Sequence, residues 1–199
     1  GFYLSGDPLE KYQVDLKEFV NVNLVDIPKE KPAEIRIGGM IKKVNVRYDK
    51  KNRAWAIVEL NGSAGRADIF VFSEVFEKTK ELLTDDNCIF IKGSPSNRDD
   101  DREVLKMIAG DVFPLDQVRN RLSRYVNIRF DELQSDAAIL EDLKNLAAEN
   151  KGRCGLMIHL KSAVGIIQKI RASRIGITPS QDFINHLRSL VGESNVWIS

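Results

Sequence analysis

The sequence is poor in the residues that usually announce reaction chemistry. It holds only two cysteines and two histidines in 199 residues. Cys88 and Cys154 stand far apart and outside any C-x-x-C pair, which excludes a disulfide framework and a thiolate metal cluster and leaves two reduced, packed thiols. His159 and His186 have no cysteine or carboxylate at ligand spacing, so no metal and no cofactor are expected. There is no Walker loop and no serine or cysteine in a nucleophile elbow, so no catalytic residue is expected either. Asp99-Asp100-Asp101 gathers three carboxylates, but on a polar turn where they point apart, without further ligands. No apolar run approaches the ~18 residues of a membrane span. Gly1 to Gly6 lack the basic and apolar stretches of a secretory signal. A cytoplasmic protein without membrane contact is the expectation. The formal net charge is only +1, so no global basic field points to nucleic acid.

What is present is ordinary globular composition, 43% hydrophobic and 30% charged, in a length that suits two domains of ~100 residues. Charge is concentrated locally. Between Ile41 and Arg53 lie Lys42, Lys43, Arg47, Lys50, Lys51 and Arg53, opposed by Asp49 alone. Such a run is usually solvated surface, and it gains meaning only beside a binding face.

Residues 1–32 read as a helical segment and linker. Asp7-Pro8 is a helix start, Leu9, Tyr12, Leu16 and Phe19 recur at helical spacing, and Pro28 and Pro32 frame a charged linker. Residues 33–116 change to a period of two. Ile35, Ile37, Gly39 and Ile41 alternate, the phase slips at Lys42-Lys43, and Val44, Val46 and Tyr48 resume it. A slip of this kind is a bulge that lets one strand serve two sheets. Strands follow over Ala54 to Leu60 and Ala67 to Val71. A helix of about ten residues capped by Ser73 comes next, then strands over Cys88 to Lys92 and Val104 to Ile108. Three strands, a helix and two strands is the order of an OB-fold barrel. Residues 117–199 read as strand, helix, two strands, helix and strand. Thr178-Pro179-Ser180-Gln181 forms a capping box and Gly192 a helix stop. That order suggests a small ferredoxin-like α/β sandwich. The fold class is therefore α+β, an OB-fold nucleic-acid-binding domain followed by an α/β interaction domain.

Three stretches carry a resemblance. Gly1-Phe2-Tyr3-Leu4-Ser5-Gly6-Asp7-Pro8 is similar to the G-(F/L)-Y-L-(S/T)-G-H-P segment of bacterial DNA polymerase III alpha subunits. Val58-Glu59-Leu60, Gly65 and Val71-Phe72-Ser73-Glu74-Val75-Phe76 resemble that family's T-L-E-D, Gly and V-V-F-P-E-V-F. Ile177-Thr178-Pro179-Ser180 with Leu187 to Gly192 resembles its V-S-P-S and L-R-x-L-I-G. The stretches keep the family's order and span nearly the whole chain. Asp7 departs from the family's histidine while still capping the helix. The resemblance implies the C-terminal region of a DNA-directed DNA polymerase, a nucleotidyltransferase whose catalytic carboxylates lie outside these residues. It implies single-stranded DNA as one partner and a tau-type clamp-loader subunit, docked in holoenzyme assembly, as another. Asn195 to Ser199 do not match a clamp-binding Q-x-x-L-F peptide, so clamp binding is not expected.

The residues can be read for the same role. With Ala56, Val58 and Leu60 facing the barrel core, Trp55 and Ile57 face out, and Phe70 faces out from the next strand. Aromatic faces stack on bases while cations line phosphates. Trp55, Ile57 and Phe70, with the six cations of residues 42–53, form the candidate DNA face. Arg98 and Arg102 on the loop between the last two barrel strands would extend it. The same aromatics can instead pack against the N-terminal helix or the second domain. Two other functions stay open: a stand-alone RNA- or tRNA-binding OB protein, or an interaction module with its barrel face buried. Asp131, Glu132, Asp136, Glu141 and Asp142 make the start of the second domain acidic, so DNA affinity is expected in the first alone.

Overall fold

The computed structural model describes residues 7–96, 104–131, 137–162, 164–165 and 167–199. Arg98, Arg102 and the aspartates beside them lie outside the described residues, as do Glu132 and Asp136. The chain divides between Val118 and Arg119 into two compact units.

In the first unit a 3-10 turn, Glu10–Tyr12, runs into α1 (Gln13–Phe19). Asp7 begins it by accepting the Leu9 amide on its side chain, 2.9 Å. Five strands then close into a barrel: β1 (Ile35–Tyr48), β2 (Ala54–Asn61), β3 (Arg66–Val71), β4 (Cys88–Pro95) and β5 (Leu105–Pro114). Their order around the barrel is β1-β2-β3-β5-β4, with β3 and β5 parallel. This is the OB-fold topology. Strand β1 slips register between Ile41 and Lys43, leaving Lys42 as the extra residue of a bulge. Its first half pairs with β4 and its second with β2, so one bent strand closes two sides. Inside, Ile35, Ile37, Ile41, Ala56, Val58, Leu60, Ile69, Val71 and Leu105 are wholly buried, at ~1.5–3 kcal/mol for each large aliphatic side chain. Helix α2 (Ser73–Thr79) is shorter than the sequence suggests. Ser73 is its first residue rather than its cap, and the chain leaves it through successive turns in which Leu82 and Leu83 donate to the carbonyls of Thr79 and Lys80.

The barrel's exterior is dressed unevenly. On the side of β4 and the first half of β1, Phe90 and Phe113 pack together with ring centres 5.4 Å apart, both buried. Leu115 covers them, and a methyl of Leu16 from α1 occupies the place where a Cβ on Gly38 would stand. A Cβ there would push the Leu16 side chain aside. The second half of β1, with β2 and β3, carries no such cover from α1, and its outward residues are half-buried or exposed.

The second unit contains α3 (Val118–Leu122), β6 (Tyr125–Asp131), α4 (Ala137–Glu149), β7 (Lys151–Lys161), β8 (Ile167–Ile177), α5 (Gln181–Val191) and β9 (Val196–Ile198). The element order follows the sequence pattern, but the ferredoxin-like strand order does not appear. That arrangement is a split βαβ unit, with another strand between the first two. Here β6 and β7 pair directly and in parallel, and the sheet runs β8-β7-β6-β9. The long β7–β8 hairpin therefore extends the edge instead of inserting. One face of the sheet is covered by helices, with Val126, Ile128, Leu143, Leu156, Phe183, Ile184 and Leu187 in a common core. The cap of α5 is Ser180, whose hydroxyl accepts the Phe183 amide at 3.2 Å. Thr178 is tied to the start of β7 instead, its hydroxyl donating to the Lys151 carbonyl at 2.8 Å and its amide to the Asn150 carbonyl. Gly192 closes the helix with φ +93°, a conformation that suits glycine.

Candidate nucleic-acid interface

The uncovered barrel wall is organised by its register. Because Ala56, Val58, Ala67, Ile69 and Val71 point inward, their alternates Trp55, Ile57, Glu59, Asp68 and Phe70 point out. Cross-strand pairing sets these in rows. Lys43, Glu59, Asp68 and Lys106 form a charged row, two carboxylates flanked by two lysines. The next holds Asn45, Ile57, Phe70 and Ile108. Beyond it Arg47 stands opposite Trp55, with its guanidinium carbon 5.9 Å from the indole centre. Phe72, just past the end of β3 and 40% exposed, sets its ring 5.8 Å from that of Trp55.

Trp55, Ile57 and Phe70 thus share one face, as the alternation predicts, but they are not one cluster. The ring neighbour of Trp55 is Phe72, and Phe70 lies beside Ile57. Phe72 is a residue that sequence reasoning missed, although it continues the outward series Asp68, Phe70. Tyr48, 67% exposed, also belongs here. Tyr48, Asp49, Lys50, Arg53, Trp55, Phe72, Ser73 and Glu74 line an open groove of about 610 Å³.

The cations are not equivalent. Lys42, Lys43, Arg47, Lys50 and Lys51 are exposed. Arg53 is exposed too but engaged: Asp49 accepts its Nε at 2.8 Å and lies 2.7 Å from Nη2. The other oxygen of Asp49 accepts the Lys51 and Arg53 amides at 2.8 and 2.9 Å. The Arg53 amide, then its side chain, holds the Asp49 carboxyl below its ordinary range. Asp49 is therefore the knot of the β1–β2 turn, in which Asn52 adopts φ +58°, and Arg53 is in part its tie. Lys50 and Arg53 line the groove, Arg47 stands over the Trp55 indole beside it, and Lys51 is exposed on the turn.

Neither thiol is primed as a nucleophile, since burial raises Cys88 and pushes Cys154 up to about 11. Among the described residues no three His, Cys, Asp or Glu side chains gather as a metal site. His159 alternates with the core residues Leu156, Ile158 and Leu160 and faces away from the helix-covered core, yet it is only 8% exposed. Its Nε2 lies 2.9 Å from Asn127 Oδ1, and its ring 4.8 Å from that of Trp197. His186 is exposed on α5. No helix among the described residues is long and apolar enough to cross a membrane.

Comparison with known proteins returns to the resemblance in the sequence. The DNA polymerase III alpha subunit of Escherichia coli K12 is 27% identical over 199 residues, covering 98% of this chain. The chain is similar to DNA polymerase III alpha subunits over its whole length. The Pseudomonas aeruginosa subunit is 27% identical over 203 residues and that of Borreliella burgdorferi 26% over 202, each covering 100% of the chain. The chain spans only 17–18% of the length of these relatives. No family model matches it. Among solved structures, the mitochondrial single-stranded DNA binding protein Rim1 of S. cerevisiae is 13% identical with a TM-score of 0.34, covering 43% of this chain and 96% of Rim1. Entamoeba histolytica asparaginyl-tRNA synthetase is 17% identical with a TM-score of 0.36, covering 48% of this chain and 24% of the synthetase.

Proposed function

We propose that the chain is the C-terminal region of a replicative DNA polymerase alpha subunit and that its barrel holds single-stranded template without regard to sequence. The observation that carries this is the Arg47–Trp55–Phe72 stack on the uncovered barrel wall, beside Lys50 and Lys51. Bases stack on aromatic faces whatever their identity, and the cations meet phosphates. Lys42, Lys43, Ile57 and Phe70 extend the same wall, and Arg98 and Arg102 remain candidates of the β4–β5 loop. The polymerase reaction itself belongs to carboxylates elsewhere in the parent protein. The second unit is assigned the docking of a tau-type clamp-loader subunit, by the family resemblance, and clamp binding is not assigned to it. Fluorescence anisotropy with a labelled oligonucleotide tests the DNA assignment. Single strands are expected to bind more tightly than duplex of equal length, with affinity falling as salt rises. Equal binding of duplex, or no salt dependence, overturns it. Preference for RNA over DNA of the same sequence would favour the RNA-binding alternative.

A further inference from the structure

The sheet of the second unit has a second face, opposite α4 and α5, on which cations are exposed around the buried Asn127 and His159. Register again sets the rows. Trp197, Asn127, Met157 and Arg171 lie side by side across β9, β6, β7 and β8, and Arg129, His159 and Lys169 form the next row. Among the described side chains of these rows none is a carboxylate. Arg129, Lys169 and Arg171 are all exposed. The arginines interleave with rings: the Arg129 guanidinium lies 5.3 Å from the Trp197 ring centre and that of Arg171 5.6 Å from Tyr125.

At one end of this face the arrangement deepens into a pocket of about 440 Å³ lined by Ser123, Arg124, Tyr125, Arg153, Gly155 and Arg171. Tyr125 pairs with Gly155, and a Cβ on Gly155 would strike the tyrosine ring at 2.7 Å. The glycine thus lets the ring lie across the strand beneath Arg171. Ser123, 9% exposed, has a buried hydroxyl without a hydrogen-bond partner. A buried, unsatisfied hydroxyl costs free energy, and a phosphate oxygen would satisfy it while three guanidiniums neutralise the charge.

We infer that this face is a second binding surface for single-stranded nucleic acid, with a backbone phosphate in the pocket of Ser123, Arg124, Arg153 and Arg171 and bases over Tyr125 and Trp197. The charge alone would equally suit an acidic polypeptide. The rings between the arginines favour nucleic acid, because stacked bases use both. Of the acidic residues near the start of this unit, Glu141 and Asp142 stand on α4, which packs against the other face, and Asp131 ends β6 opposite Lys161, one row beyond Arg129.

The test uses the whole 199-residue chain and an oligonucleotide carrying 5-iododeoxyuridine, photocrosslinked and mapped by peptide. Crosslinks to peptides bearing Tyr125 or Trp197 are expected, and they should survive in the Trp55→Ala/Phe72→Ala double variant. Arg153→Ala and Arg171→Ala should each lower them at least about five-fold with unchanged melting, and Arg171→Lys should lower them less. Crosslinks confined to the barrel would overturn this inference and leave the barrel assignment intact. Loss of the barrel crosslinks alone would do the reverse. Competition by oligoglutamate as strong as by unlabelled oligonucleotide, at matched ionic strength, would also overturn it and mark a docking face for acidic protein.

Discussion

Arg47 and Trp55 are cross-strand partners, and the arginine holds its guanidinium 5.9 Å from the centre of the indole ring. Phe72 approaches the same indole at 5.8 Å. The pair puts a cation and an aromatic surface at one point of an otherwise mixed wall. A cation above an exposed ring contributes ~0.5–1 kcal/mol in the free protein, so it is readily exchanged for a base and a phosphate.

Trp55→Ala is expected to cost ~1–3 kcal/mol of single-strand binding, about 5- to 150-fold in Kd. It should cost ~1 kcal/mol of stability, the scale of one aromatic pair. Phe72→Ala should follow it closely. Phe70→Ala should weaken binding less, because its register partner is Ile57 rather than the Trp55 cluster. Oligonucleotide titrations and melting curves on the three variants check this. Stability losses with unchanged binding would make the wall structural.

Arg47 and Arg53 should separate although they flank the same turn. Arg47→Ala removes a cation held over the indole ring and should reduce the slope of log K against log salt by ~0.7, the value of one phosphate contact on a single strand. Arg53→Ala unties Asp49 and should change that slope less, while loosening the β1–β2 turn. Amide exchange at Lys51 and Arg53, whose N–H groups donate to Asp49, reads the second effect directly.

The barrel was legible in the sequence because its strands are two-sided: one face meets the core, so alternation and even the Lys42 bulge show in the residue pattern. The N-terminal helix was legible, but its seat was not, since nothing in the sequence distinguishes the Gly38 that admits Leu16 from a glycine in a turn. Phe72 continues the alternation of Asp68 and Phe70, but the pattern does not show that its ring, one residue past the strand, meets that of Trp55. In the second unit the element order was readable and the strand order was not. Choosing between direct and split pairing depends on how β7 meets β6 in space, and both choices bury the same apolar residues. Averaging charge along the sequence also concealed the arginines of β7 and β8. They are scattered in sequence and meet only through pairing, while Glu141 and Asp142 lie on a helix across the sheet.

The covered side of the barrel should answer to a different measurement. Phe90 is fully buried against Phe113, beneath Leu115 and beside Leu16. Phe90→Ala is expected to cost ~3–5 kcal/mol of stability, the usual range for truncating a buried aromatic. Below its lowered melting temperature the variant should bind oligonucleotide as the parent does. A binding loss in the folded variant would mean that the two walls are coupled.

His159 supplies the pH dependence. It is buried beside Asn127 and Trp197, and burial first, then the charges of Lys169 and Arg129, lowers its pKa from the ordinary 6.5. The register places both cations directly opposite it, Arg129 on β6 and Lys169 on β8. A histidine with a depressed folded pKa is neutral in the native sheet and takes up its proton more readily when unfolded. Its contribution to stability is therefore complete above the unfolded value near 6.5 and is lost as pH falls through the lower folded value. His159→Gln keeps a polar partner for Asn127 and removes the titration. Urea denaturation between pH 7.5 and 5 should show the parent losing stability on acidification more steeply than the variant. If both lose it in parallel, other groups carry the acid sensitivity. Relieving part of the drop with Lys169→Gln, and not with Lys169→Arg, which keeps the charge, would separate the cation's share from that of burial.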